Sequence, residues 1–222
     1  MSEFVLMLTR NDLTVPDAPD LLQRALTTGT RHIGFKDVGQ PLEVMRELVS
    51  AIQAAGRHAH LEVVSLTEED ERRSLQIGLD LGFDYILGGT RPAIGREMLA
   101  GTGVTYVPYV GRVVGHPGTL EGSAEEILAD IEAIGDTADG VNLLAYRHTS
   151  IPGDELVARV CAGSPLPVLV AGSIASPERV RRVTEAGAWG FTIGSAFFER
   201  AFVPAGSFND NVMSVVDWLQ RG

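Results

Sequence analysis

Two short segments bring charged residues in among apolar neighbours: HIGFKD (32–37) and HLEVVS (60–65). In an extended strand alternate side chains share a face. Ile33 and Phe35 then share one face of the first segment, and Gly34 and Lys36 the other. Leu61 and Val63 claim the apolar face of the second, which turns Glu62 the same way as Lys36. A lysine under a helix layer would be an unpaired buried charge, so Lys36 and Glu62 are expected to point inward and meet. A buried pair of this kind is a poor stabiliser compared with apolar packing, and charges in such places concentrate at functional sites. A desolvated lysine serves as a Schiff-base nucleophile, a general acid or an electrostatic clamp. The neighbouring carboxylate favours the ammonium, which would hold an enolate or a leaving oxygen. Asp37 follows as either a second carboxylate of the site or the cap of the next loop.

Candidate partners lie further along. GRVVGHPGTLEG (111–122) is a twelve-residue connection with four glycines, longer than most loops between a strand and a helix. Its His116 is either a mobile acid/base or an exposed loop histidine. In VNLLAY (141–146), period-two spacing puts Asn142, Leu144 and Tyr146 on one face, and Tyr146 becomes a second candidate for proton transfer. Arg10, Arg91, Arg112 and Arg147 stand at strand ends or in loops, and Arg10 and Arg112 are taken as candidate ligands of an anion. VLVAGSI (168–174) and GFTIGS (190–195) each run an apolar strand into a Gly-Ser turn. Glycine there lets a ligand come close to the backbone. Ser176-Pro177-Glu178 adds an N-cap and a proline for the first helical position.

The elements that must carry these residues alternate along the whole chain of 222 residues. Strands are expected at 4–9, 32–37, 60–65, 85–89, 105–110, 141–146, 168–173 and 190–195. Helices between them include 41–55, with Leu42, Met45, Leu48, Val49 and Ile52 on one face, and 123–135, with Ile127, Leu128, Ile131 and Ile134; a last helix is expected over 209–220. Gly29, Gly82, Gly103 and Gly187 each stand four residues before an apolar strand residue, the pattern of a helix C-cap followed by a short loop. Eight strand–helix units predict one α/β domain over 1–222, a single (β/α)8 TIM barrel with its chemistry at the C-terminal ends of the strands. Strands seven and eight, with the amides of Gly172, Ser173, Gly194 and Ser195 and a short helix after the second turn, are then where a phosphate is expected.

VLVAGSIASPERVRRVTEAGAWGFTIGSAFF (168–198) resembles the phosphate-binding half of the ribulose-phosphate-binding barrels. That superfamily includes isomerases and synthases of histidine and tryptophan biosynthesis, orotidine- and ketogulonate-phosphate decarboxylases and the N-acetylmannosamine-phosphate epimerase. The resemblance implies a phosphorylated metabolite as ligand. An inward lysine on strand two is also similar to the lysine that the decarboxylases place near their substrate. Their aspartate-x-lysine-x-x-aspartate motif on strand three is absent, since the chain reads HLEVVS there.

Composition narrows the partners. A formal net charge of −11 without a basic run disfavours nucleic acid. No apolar run is long enough to cross a membrane and the first residues lack the features of a signal peptide, so a cytoplasmic location is expected. The single cysteine, Cys161, falls in a helical pattern and reads as packing. GxGxxG, GxxxxGK[ST] and GxSxG are absent, and His58-Ala59-His60 lies toward the barrel's bottom face, so neither a cofactor nor a metal is expected. A homo-oligomer is compatible with a barrel of this size. The expected activity is carbanion or enolate chemistry on a small phosphorylated, sugar-phosphate-like metabolite, as a C–C lyase of aldolase or decarboxylase type or, alternatively, an isomerase or epimerase. A non-catalytic phosphometabolite-binding protein is the alternative of another class.

Overall fold

The computed structural model describes residues 2–221. Eight parallel strands form one sheet: β1 (Glu3–Met7), β2 (His32–Lys36), β3 (His58–Val63), β4 (Tyr85–Gly88), β5 (Thr105–Val107), β6 (Val141–Leu143), β7 (Val168–Val170) and β8 (Gly190–Ile193). Neighbours in sequence are neighbours in space, and β8 pairs with β1. Between β5 and β6 the sheet is joined by a bridge from Tyr109 to Asn142, where the Asn142 amide donates to the Pro108 carbonyl at 2.7 Å. The architecture is the (β/α)8 barrel that the alternation predicts.

Helices α1 (Ala18–Ala25), α2 (Leu42–Ala54), α3 (Glu68–Leu81), α4 (Pro92–Leu99), α5 (Ala124–Ile134), α6 (Gly153–Gly163) and α7 (Pro177–Glu185) follow the first seven strands. After β8 come the one-turn α8 (Ser195–Phe198) and the terminal α9 (Phe208–Arg221). Their starts follow from local chemistry. Ser123 and Glu126 form a reciprocal capping box on α5, and the Ser176 hydroxyl caps α7 with Pro177 in its first turn. Gly29, Gly82, Gly103 and Gly187 all adopt positive φ at the joints where a C-cap was expected. In α2 the buried stripe is Met45, Leu48, Val49 and Ile52, while Leu42 at its start is half exposed.

Two apolar layers result. Val5, Met7, Leu87, Val107 and Leu169 fill the inside of the barrel, and the larger cluster lies between strands and helices. The register of β2 on β3 pairs His32 with His58 and Lys36 with Glu62. Polar side chains thus occupy both ends of the barrel interior, with the apolar layer between them.

Several strands end earlier than their apolar patterns. Pro108 has no amide hydrogen, and β5 stops at Val107. β6 stops at Leu143 and the chain enters a 3₁₀ turn over Ala145–Arg147, so Tyr146 does not continue the face of Asn142. β7 stops at Val170, short of the expected residue 173, because Gly172 and Ser173 turn left-handed at φ +76° and +58°. The expected loop 111–122 is instead largely an antiparallel hairpin, Arg112–Val114 with Thr119–Glu121, and His116 sits at its tip.

Candidate active site

The site begins with a turn. Just past β1, Thr9–Arg10 pairs antiparallel with Leu13–Thr14, and the connecting residues Asn11 and Asp12 have φ +51° and +60°. This is the two-residue hairpin whose twist suits left-handed central residues, and Asn and Asp tolerate that conformation better than other side chains. The hairpin folds onto the end of β2, where the Thr14 hydroxyl donates to the Lys36 carbonyl at 2.8 Å and accepts from the Lys36 amide at 2.9 Å. The Asp12 carboxylate is thereby carried over the barrel mouth, its Oδ1 2.5 Å from Lys36 Nζ.

Lys36 is 3% exposed and lies between two carboxylates, since Glu62 Oε2 is 3.3 Å from the same nitrogen. The second Glu62 oxygen accepts a 2.8 Å hydrogen bond from the Tyr109 phenol. Arg147 reaches Asp12 from the β6 end, at 3.3 Å to Oδ2. Burial by itself would raise the Asp12 carboxyl, but Lys36 and then Arg147 outweigh it and hold the group below its ordinary value. Burial, reinforced by Glu62, pushes the Tyr109 phenol well up, so it stays a donor to that carboxylate. Behind this group Asn142 is fully buried, registered beside Leu169 of the inner cluster, and among the described residues neither its side-chain Oδ1 nor its Nδ2 has a hydrogen-bond partner.

The opposite wall of the same cavity, about 280 Å³ in volume, is made by the two Gly-Ser turns. Among the described residues no backbone hydrogen bond uses the amides of Gly172, Ser173, Ile174, Ala175 or Gly194 as donors. Gly172 is required by its φ and by space: a Cβ there would stand 2.6 Å from Arg147 Nε. Arg179, the third residue of α7, also borders this wall. Its guanidinium donates to the Ser173 carbonyl and lies 4.7 Å from the centroid of the Tyr146 ring. Among the described residues it has no carboxylate partner, although Glu199 borders the wall as well. Free amides, glycine and a guanidinium are what an anion needs in a protein of net negative charge.

Of the residues singled out by sequence, Lys36, Glu62, Gly172, Ser173, Gly194 and Ser195 line one cavity. His116 borders a smaller cavity next to it. Tyr146 is outside both; it donates to Asp154 at 2.7 Å and packs on Gly153, and burial together with that bond raises its phenol. Arg10 is exposed on the short hairpin, and Arg112 pairs with Glu121 across its own hairpin; neither lines the cavity. Asp37 accepts from Ser74 and ties β2 to α3, and burial raises its carboxyl. Arg91 pairs with the fully buried Glu71 at 2.9 Å. Asp12, Tyr109 and Arg179 were missed. The Asn-Asp pair between Thr9-Arg10 and Leu13-Thr14 is a turn signal that would have found Asp12. Tyr109 follows a proline, and Arg179 sits among other arginines of α7, so neither had a local signal.

The barrel fold is shared with solved enzymes. The chain superposes on the native KDPGal aldolase structure with a TM-score of 0.69 at 15% identity, covering 98% of this chain and 94% of that one. Orotidine 5'-phosphate decarboxylase from Pyrococcus horikoshii OT3 gives 0.67 at 15% identity, with 99% of both chains covered. N-acetylmannosamine-6-phosphate 2-epimerase from Clostridium perfringens gives 0.64 at 13% identity, covering 87% of this chain and 86% of that one. All three are TIM barrels of the ribulose-phosphate-binding type, and what this chain shares with them at such identities is the fold. No family model and no curated protein sequence matches the chain. Among the described residues no helix is long and apolar enough to cross a membrane.

Proposed function

We propose that the protein is an enzyme that acts on a small phosphorylated metabolite through a carbanion or enolate. One observation carries this reading: a single cavity is walled on one side by Lys36 between Asp12 and Glu62, and on the other by two glycine turns with free amides. The phosphate would rest on Gly172, Ser173, Gly194 and Ser195, with Arg179 adding charge. The reacting carbon would then face Lys36. Two carboxylate oxygens around one amine suit an ammonium, which stabilises a developing enolate oxygen electrostatically.

Asp12 is the proton acceptor in this scheme. A proton leaves the carbon next to the substrate carbonyl for an Asp12 oxygen, and the electron pair moves onto the carbonyl oxygen. In the empty site Lys36 and Arg147 depress the basicity of Asp12. As the enolate oxygen draws those cations toward itself, Asp12 becomes the stronger base, so proton transfer and charge stabilisation reinforce each other. Glu62, held by the Tyr109 phenol, keeps Lys36 in place. Return of the proton elsewhere gives isomerisation or epimerisation; lyase activity would instead have Asp12 take the proton of a β-hydroxyl, so that the adjacent C–C bond breaks, its electron pair forms the enolate beside Lys36 and the other fragment leaves as a carbonyl. Lys36 and Glu62 open on the cavity, which supports catalysis over a protein that only binds the metabolite.

The Lys36→Met protein should lose at least a hundredfold in turnover while retaining affinity for inorganic phosphate, measured by kinetics and by calorimetry. Unchanged turnover would remove Lys36 from the mechanism. Borohydride added with substrate should leave Lys36 unmodified, as an ammonium role requires; a reduced adduct found by mass spectrometry would establish a Schiff base instead.

A further inference from the structure

One residue of the site faces two ways. Arg147 borders both the main cavity and the smaller one beside it, and its side chain is 24% exposed. The 3₁₀ turn that carries it also presents Tyr146, whose ring lies against Arg179, so this one turn sets two guanidinium groups beside the β7 turn. Arg147 meets Asp12 through its two terminal nitrogens, at 3.3, 3.4 and 3.5 Å. A well-made guanidinium–carboxylate pair closes to about 2.7–2.9 Å. Lys36 holds Asp12 more closely, its Nζ standing 2.5 Å from Oδ1. At the other end of the same guanidinium, Nε lies against Gly172, which for that reason has no room for a Cβ. Among the described residues the Gly172 and Ser173 amides give no backbone hydrogen bond, and their neighbour is a cation that its carboxylate holds loosely.

We propose that Arg147 is shared between Asp12 and the ligand's phosphate: an anion settling on the β7 turn takes up the guanidinium, and the Asp12 carboxylate is released as a base when the site is filled. The proposal rests on the phosphate reading above and adds a coupling between the two walls of the cavity. A ligand moves such an equilibrium only by binding one arrangement better than the other. A phosphate does so here, since it carries more charge than Asp12 and presents oxygens to Nε and a terminal nitrogen together. The groups that face Asp12 are Lys36 from β2, Arg147 and, across Lys36, Glu62 from β3 with the Tyr109 phenol; Arg179 and Glu199 border the same cavity. With Arg147 on the phosphate, Lys36 remains as the cation on Asp12, and the enolate oxygen then claims it. A metabolite without a phosphate would meet a base still masked by Arg147, so the coupling selects against it.

NMR titration of the full chain with inorganic phosphate tests this, read at the Gly172, Ser173 and Gly194 amides. Asp12→Asn should tighten phosphate about tenfold, because Arg147 then has no carboxylate to leave. In an Arg147→Met background the same change should tighten phosphate less than about twofold. Simple repulsion between Asp12 and phosphate predicts the opposite order, since an Asp12 without Arg147 repels an anion more. No tightening in the wild-type background, or a tightening as large or larger beside Arg147→Met, would overturn the proposal while the phosphate site stands. In the protein without substitutions, the ¹³C titration midpoint of the Asp12 carboxyl should rise by about one pH unit at saturating phosphate, and an unmoved midpoint would overturn the proposal equally. Wild-type amides that do not respond to phosphate would overturn the phosphate reading and this proposal with it.

Discussion

Lys36 is the residue on which the site turns, and the groups around it divide the work. Asp12 sits on an exposed turn and faces the cavity, whereas Glu62 is buried and fixed through both of its oxygens, by Lys36 and by Tyr109. Tyr109→Phe would free one Glu62 oxygen at a cost of about 1.5–3 kcal/mol for a hydrogen bond to a charged group. The expected result is a less stable enzyme with a modest loss of rate. Asp12→Asn should behave in the opposite way, because the turn and the hydrogen bonds of the hairpin survive while the proposed proton acceptor is gone. Its turnover should fall roughly 10²–10⁴-fold with the melting temperature little changed, as kinetics and calorimetry on the two variants would compare. Equal stability losses and equal rates in the two would contradict this division. The alternation of HIGFKD and HLEVVS was enough to place Lys36 and Glu62 together. Asp12 escaped because its position depends on a hairpin between two-residue strands, too short for any periodicity to register.

Strands and helices here were readable from their apolar repeats, whereas strand ends and the loops beyond them were not. The eight strands and the capped helices follow from period, cap and glycine. The apolar run VLVAGS nevertheless breaks after Val170, and TYVPYV after Val107, because left-handed turns and a proline override side-chain type. Tyr146 was misassigned for the same reason: counting by twos past Leu143 assumes a strand that has already become a 3₁₀ turn. It stacks under Arg179 instead. The β7 turn offers the sharpest test at this scale. Gly172→Ala keeps every side chain of the site but forces a Cβ into φ +76° and against Arg147. Beyond roughly 1–2 kcal/mol of backbone strain, it should displace Arg147 from Asp12 and weaken inorganic phosphate about tenfold or more by calorimetry. Wild-type affinity in this variant would show that the turn is not the anion site.

Taken whole, the barrel carries ionisable groups at both ends, and the bottom end is built to remain uncharged. His32 and His60 share a 2.9 Å hydrogen bond, with His58 stacked on His32, Tyr85 stacked on His60 and Trp189 edge-on to His32. Burial draws His32 down to about 4 against the pull of Glu3, and draws His60 well below its ordinary value, with neighbouring histidines adding to the effect. In the unfolded chain both would titrate near 6.5. The stability they contribute is therefore complete above pH 6.5 and is lost as pH falls toward 4, at roughly 1.4 kcal/mol per pH unit for each. Denaturant unfolding at pH 7.5 and pH 5 should differ by about 2–4 kcal/mol, with close to two protons taken up on unfolding at pH 5. A flat profile would mean that these rings are charged or hydrated in the native protein.

The pairing of β2 with β3 has one more consequence. Each strand carries a histidine at one end and a charged residue toward the other, so His32 meets His58 and Lys36 meets Glu62 in a single register. A slip by one residue would turn Lys36 outward beneath the helices and leave Glu62 facing it from the wrong side of the sheet. An all-apolar pair of strands would lose little packing in such a slip, whereas here it strands a bare charge in oil. The residues proposed to serve a substrate thus also proofread the assembly of the barrel, since misaligned chains are penalised before any ligand is met.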